Sequence, residues 1–121
     1  MAATKETYGG DPFPPFVREL VEADLNIDGL YGWRLPMEGG VLLFMAADRD
    51  VIVPEHQHGA QWGVVLSGEM ELMSEGSERV YRRGDAHFID AAVPHSAKIR
   101  RGWRALYVFL NPGPGEVRAD C

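Results

Sequence analysis

Two histidines two residues apart, His56 and His58, follow a proline in "PEHQHGAQWGVVLSGE", residues 54–69. A third, His95, follows another proline in "DAAVPHSA". On a β-strand, residues i and i+2 share a face. A strand through His56 and His58 would therefore turn both imidazoles to one side. With His95 at the start of a second strand, three imidazoles can occupy one face of a metal's coordination sphere and leave the other open to water or substrate. Such a donor set suits a divalent transition ion: Fe, Mn, Ni, Zn or Cu. Taken singly, each histidine is more often an ordinary surface or core residue. The flanking glycines and prolines favour the joint reading. The fourth histidine, His87 in "GDAHFID", sits on a separate apolar run and is expected to be a strand-packing or surface residue, not a ligand.

The elements that must position these residues are short. From Leu30 onward, apolar runs such as "GVLLFMAA", "AQWGVVLSG", "ERVYRRG" and "WRALYVFLN" recur between Gly, Asp and Pro. That grammar predicts an all-β sandwich or barrel. "SEGSE" has the composition of a hairpin loop, with Gly76 free to take a positive φ. In the last run, alternation places Trp103, Ala105, Tyr107 and Phe109 on one face. If that face looks inward, Tyr107 is the candidate to pass a hydrogen bond or proton to a ligand on the metal. Phe16 to Gly29 fits either one or two helical turns or a short edge strand. The chain is thus divided into an N-terminal arm and lead-in segment over 1–29, a β-barrel over 30–111 and a C-terminal tail over 112–121. Residues 1–15 are read as loose, and the two prolines of the tail bar it from a central strand.

Composition bounds the rest. The 121 residues make one domain with 45% hydrophobic and 25% charged residues. A net charge of −6 argues against a nucleic-acid partner. The basic run "KIRRGWR" is read as strand ends around a turn at Gly102. No apolar run approaches the ~20 residues of a membrane span. The single cysteine, Cys121, excludes an intrachain disulfide and fits a cytoplasmic location. The apolar outer face expected of the last strand, together with the edges of a small open barrel, predicts a homodimer.

The two histidine segments resemble the paired motifs of the cupin superfamily. In the first, His56, Gln57 and His58 are followed by Gln61, six residues and Gly68. In the second, the spacing falls on Gly84, Asp90, Ala92 and His95, with "GD" at Gly84–Asp85 and "VPH" at Val93–His95. The resemblance spans roughly residues 51–100. It implies a jelly-roll β-barrel (a double-stranded β-helix), often dimeric, with metal ligation by His56, His58 and His95 and with Gln61 at the fourth position. The chain departs from the pattern at five positions. Gln61 replaces a Glu, Asp90 and Ala92 replace a Pro and a Gly, Ile99 stands where an Asn often follows, and Asp50 stands where a Gly usually opens the first motif.

The glutamine changes the electrostatics. Three neutral imidazoles and a neutral amide leave the full dipositive charge in the site. That strengthens the Lewis acid, lowers the pKa of a bound water and favours a small anionic ligand such as a carboxylate or enolate. Some small cupins acting on unsaturated uronate sugars also place Gln here, and "HGAQWGVVLSGE" is similar to their segment. They use an acidic residue two before a Phe of the last strand and a nearby Arg. Here Phe109 matches, Tyr107 takes the acidic position and no Arg follows at the expected distance, so that activity is not carried over. Two functions remain: a metal-dependent enzyme on a small organic anion, of isomerase, lyase or oxygenase type, or a non-catalytic module that binds or senses a small ligand.

Overall fold

The computed structural model describes residues 13–110. Most of the arm, the whole tail and Cys121 lie outside them. A helical turn, α1 (Pro15–Arg18), is followed by ten strands: β1 (Val21–Ala23), β2 (Leu30–Met37), β3 (Gly40–Ala47), β4 (Val51–His56), β5 (Gln61–Ser67), β6 (Glu69–Ser74), β7 (Ser77–Arg82), β8 (Ala86–Ile89), β9 (His95–Ile99) and β10 (Arg104–Leu110). The segment read as helical turn or edge strand is both: α1 opens it, and β1 pairs with β2 at the sheet edge.

The strands form two antiparallel sheets, one in the order β1-β2-β3-β10-β5-β8 and the other β4-β9-β6-β7. The two inner faces enclose one apolar core, giving the jelly-roll barrel. The cause is period-2 alternation: on β10, Ala105, Tyr107 and Phe109 are buried while Arg104, Leu106 and Val108 are only half-buried. Burying a side chain such as Phe109 or Leu43 stabilises the fold by about 1.5–3 kcal/mol. The β6–β7 hairpin closes through Glu75 and Gly76 with φ of +53° and +80°, the handedness that matches strand twist.

Outside the barrel, a smaller cluster forms where Phe13 and Val17 cover Tyr31, Trp33 and Ala46. The lead-in segment thus roofs one part of the outer face of the larger sheet. The next part is bare. Across it runs an apolar row in continuous register, Leu35, Leu42, Val108, Trp62 and Phe88. Phe88 is 53% exposed and Trp62 41%.

Candidate metal centre

Pro54 sets up the centre. It has no N–H to give to the ladder, and the β4–β9 register shifts between Val53 and His56. Pairing resumes with His56 directly opposite His95. The strand ends there, so His58 lies in the loop after β4 and not on a strand. The period-2 expectation therefore places His56 correctly, whereas a loop places His58. That loop is held by the Ala92 N–H, which donates to the His58 carbonyl at 2.8 Å. Ala92 stands where the second motif calls for Gly, and its φ is +65°. A non-glycine residue pays roughly 1 kcal/mol for that left-handed conformation.

The three imidazoles converge. Ring centroids are 5.0 Å apart for His56 and His58, 4.3 Å for His56 and His95, and 5.0 Å for His58 and His95. One nitrogen of each lies within 4.8 Å of those of the other two. Each ring is also oriented in the same way. Nδ1 of His56 faces the Pro54 carbonyl, Nδ1 of His58 the Gly59 carbonyl and Nδ1 of His95 the Val93 carbonyl, all at 2.9 Å. A carbonyl only accepts, so each Nδ1 carries the proton and donates, which assigns the lone pair to Nε2. A backbone carbonyl that takes the Nδ1 proton fixes the tautomer and the ring direction, which prepares a histidine for a metal.

Charge works the same way. Burial pushes the pKa of His58 below the usual value; the bond to the Gly59 carbonyl opposes this and the neighbouring His56 adds to it. His95 is lowered by burial first and, less strongly, by His56 and His58, against its bond to the Val93 carbonyl. Neutral rings are the ligating form.

The cluster opens into a cavity of about 360 Å³ inside the barrel, a size that suits a small organic molecule. Gln61, on β5, lines its wall. The residue is 6% exposed and its Oε1 has no hydrogen-bond partner. An amide oxygen buried without a partner is costly, and a metal or a metal-bound water would relieve it. The donor set therefore fits a divalent transition ion, held by His56, His58 and His95 with Gln61 beside them. Among the described lining residues, Glu55 at the mouth is the one carboxylate, and no Lys or Arg lines the cavity.

Deeper in, Phe109 packs on His58 with centroids 5.1 Å apart. Tyr107 follows, 5% exposed, its hydroxyl 3.7 Å from the Met70 sulfur. His87 also enters the cavity, between Tyr81 and Tyr107 at 4.8 and 5.6 Å. Of the two expectations for His87, strand packing or surface, the structure gives packing, on the inner face. β8 inverts the usual pattern: Phe88 faces out and His87 faces in, with Ile89 buried in the Gln61 rung. The adjacent pair Phe88–Ile89 left the phase of that four-residue strand undecided, and only the outer apolar row shows why Phe88 is accommodated outside. Trp62, next to Gln61 in sequence, points out, and Asp90 is exposed in the turn after β8.

The enabling residue of the inner wall is Gly63. It lies between Tyr107 on β10 and His87 on β8 in one rung. A Cβ at Gly63 would overlap the Tyr107 ring. The absent side chain lets that ring lie across β5 toward His87.

A ten-stranded jelly roll with three histidines converging on its cavity is the architecture of a metal-binding β-barrel. The comparisons with known proteins agree on the fold. The family model described as "Cupin domain" matches residues 43–109, and the chain belongs to that family. An RmlC-like cupin from Shewanella frigidimarina is 21% identical over 80% of this chain and 88% of its own, with a TM-score of 0.69. KdgF from a Halomonas species is 23% identical over 66% of this chain and 78% of its own, with a TM-score of 0.58. Oxalate decarboxylase from Bacillus subtilis, described with Mn(II) centres, is 18% identical over 78% of this chain and 28% of its own, with a TM-score of 0.64. No curated protein matches the chain. No helix among the described residues is long and apolar enough to cross a membrane.

Proposed function

We propose that the protein is a metal-dependent enzyme acting on a small organic anion. The ion would be held by His56, His58 and His95, with Gln61 as fourth ligand or as the partner of a bound water. One observation carries the reading: three rings whose Nδ1 protons are all tied to backbone carbonyls, leaving three Nε2 lone pairs for one centre. When bound, the ion supplies Lewis acidity, undiminished by any carboxylate in the ligand set. Gln61 places a neutral oxygen in the wall. Phe109 and the apolar cavity exclude water. Tyr107 donates to a thioether, a weak acceptor that a substrate oxygen would outcompete. It is the group to pass a proton to the substrate.

Elemental analysis of protein purified without chelator tests the reading. About one ion per chain is expected, and none in the His56→Ala, His58→Ala, His95→Ala variant. The metal then directs the assay: Zn or Ni toward isomerase or lyase chemistry, Fe or Cu toward oxygen. No metal in either protein, even after incubation with each ion, overturns it.

A second reading, a non-catalytic module that binds or senses a small ligand, draws support from the cavity itself. Glu55 is its one carboxylate and lies at the mouth. Ligand capture without turnover by the metal-loaded protein would favour this reading. A homodimer completes the proposal, with the bare row through Trp62 and Phe88 covered by a second copy. Light scattering should give twice the 13.4 kDa chain mass, and a monomeric mass at micromolar concentration overturns it. The lone cysteine supports a cytoplasmic location.

A further inference from the structure

The polar groups at the inner end of the cavity have no role in holding an ion. Trp103 is 1% exposed, and its Nε1 donor has no partner. Neither ring nitrogen of His87 has one either, and both are shielded from solvent. Tyr107 lies between them, its ring 6.3 Å from Trp103 and 5.6 Å from His87. All three residues line the same cavity as the histidine cluster. Buried polar groups are nearly always satisfied, so a set left open in one place calls for a missing partner.

We propose that His87, Trp103 and Tyr107 form a second binding subsite, which takes an uncharged oxygen function, a hydroxyl or a carbonyl, on the ligand whose anionic head meets the metal centre. The proposal rests on the metal-centre reading above and adds the far end of the substrate to it. The chemistry selects that group. Trp103 only donates, Tyr107 donates or accepts, and a neutral His87 offers one donor and one acceptor. A hydroxyl can accept from one of these N–H groups and donate to the lone-pair nitrogen of His87, and a carbonyl oxygen can accept from the N–H and O–H groups. A second carboxylate does not suit the place, because no Lys or Arg among the described residues lines the cavity to compensate its burial. Burial holds the His87 pKa at about 4, with a smaller contribution from His95, so the ring is neutral at pH 7. Leu72 and Ala97, paired with each other two residues along β9 from His95, give the wall next to the centre an apolar lining. The substrate class is thus a small acid with an anionic head, an apolar middle and a distal hydroxyl or carbonyl. Gly63 serves as a positioning residue, since its lack of a side chain seats Tyr107 beside His87.

The probes are 2-oxohexanoate and its 4-, 5- and 6-hydroxy derivatives, titrated calorimetrically into the metal-loaded protein. At least one hydroxylated probe should bind about tenfold tighter than the parent, the gain of satisfying buried groups. In His87→Phe, which keeps an aromatic ring, that advantage should fall to within about twofold. Metal content should be unchanged. Tyr107→Phe, which loses one hydroxyl, should reduce the advantage too and serves if His87→Phe does not fold. The subsite is overturned if no hydroxylated probe gains over the parent, or if the gain survives both variants. It is also overturned if the metal-loaded protein takes none of the probes. A protein that holds no metal fails at the earlier reading instead, so the two failures are distinguishable.

Discussion

The two ends of the cavity are built from the same residue type in opposite ways. At the mouth, three histidines each give one ring proton to a backbone carbonyl within two residues, so their orientation is fixed by local chain geometry. At the inner end, His87 makes no such bond and is held by the Tyr81 and Tyr107 rings. Short-range hydrogen bonds orient the first set whether or not the far wall is perfectly packed. The single inner histidine depends on the packing of three strands, β5, β8 and β10. Ligand atoms of a metal need fixed direction, whereas a group that reads part of a substrate needs shape and an open valence.

This contrast can be broken most severely at Gly63. Gly63→Ala forces the Tyr107 ring off its rung, an overpacking change that should cost about 2 kcal/mol. Chemical denaturation should show that loss, while metal stoichiometry stays near that of the wild type. An equal loss of metal would mean that the two ends are not independent.

An effect of comparable size is expected from pH. The folded state holds His87 at about 4, below the ordinary 6.5, chiefly through burial. The unfolded chain therefore binds the proton first as pH falls. The stability contributed by the neutral ring is complete above pH 6.5 and is lost as pH drops toward 4. Measured in chelator, wild type should lose stability relative to His87→Phe as pH falls across that window, by on the order of 1–3 kcal/mol. A flat difference would place the ring in water instead.

The smallest effect belongs to the mouth. Ala92→Gly removes the cost of a left-handed alanine and should stabilise by about 0.5–1 kcal/mol, offset in part by the freedom glycine gains in the unfolded chain. A destabilised variant would show that the methyl group packs usefully in the loop that braces His58.

The sequence carried the mouth more clearly than the interior. His56, His58 and His95 were legible because ligand spacing is a local property, and β10 was legible because its alternation runs unbroken from Trp103 to Phe109. The place of His58 was misread in detail, since nothing in "EHQHG" says where pairing with β9 ends. For His87 the choice between packing and surface stayed open because four residues of β8 give no phase, and the register that turns it inward comes from β5. Gly63 was equally silent: a glycine within an apolar strand is explained only by the ring that crosses it. The lead-in segment stayed ambiguous for a related reason. It forms one helical turn and one short edge strand, each stabilised by Trp33, Phe44 and their neighbours more than by its own propensity.

The crossing of Gly63 by Tyr107 also couples two positions that are 44 residues apart in the chain. Neither can be altered in size alone. In sequence drift, a side chain at position 63 becomes tolerable only after the ring at 107 has been replaced by something smaller, and that exchange would remove the neighbour of His87. Descendants of this barrel would then fall into two groups, those that keep glycine with an aromatic ring and those that have traded both. The second group would hold a differently shaped interior behind an unaltered set of three histidines, a route by which one metal centre can be passed between substrates.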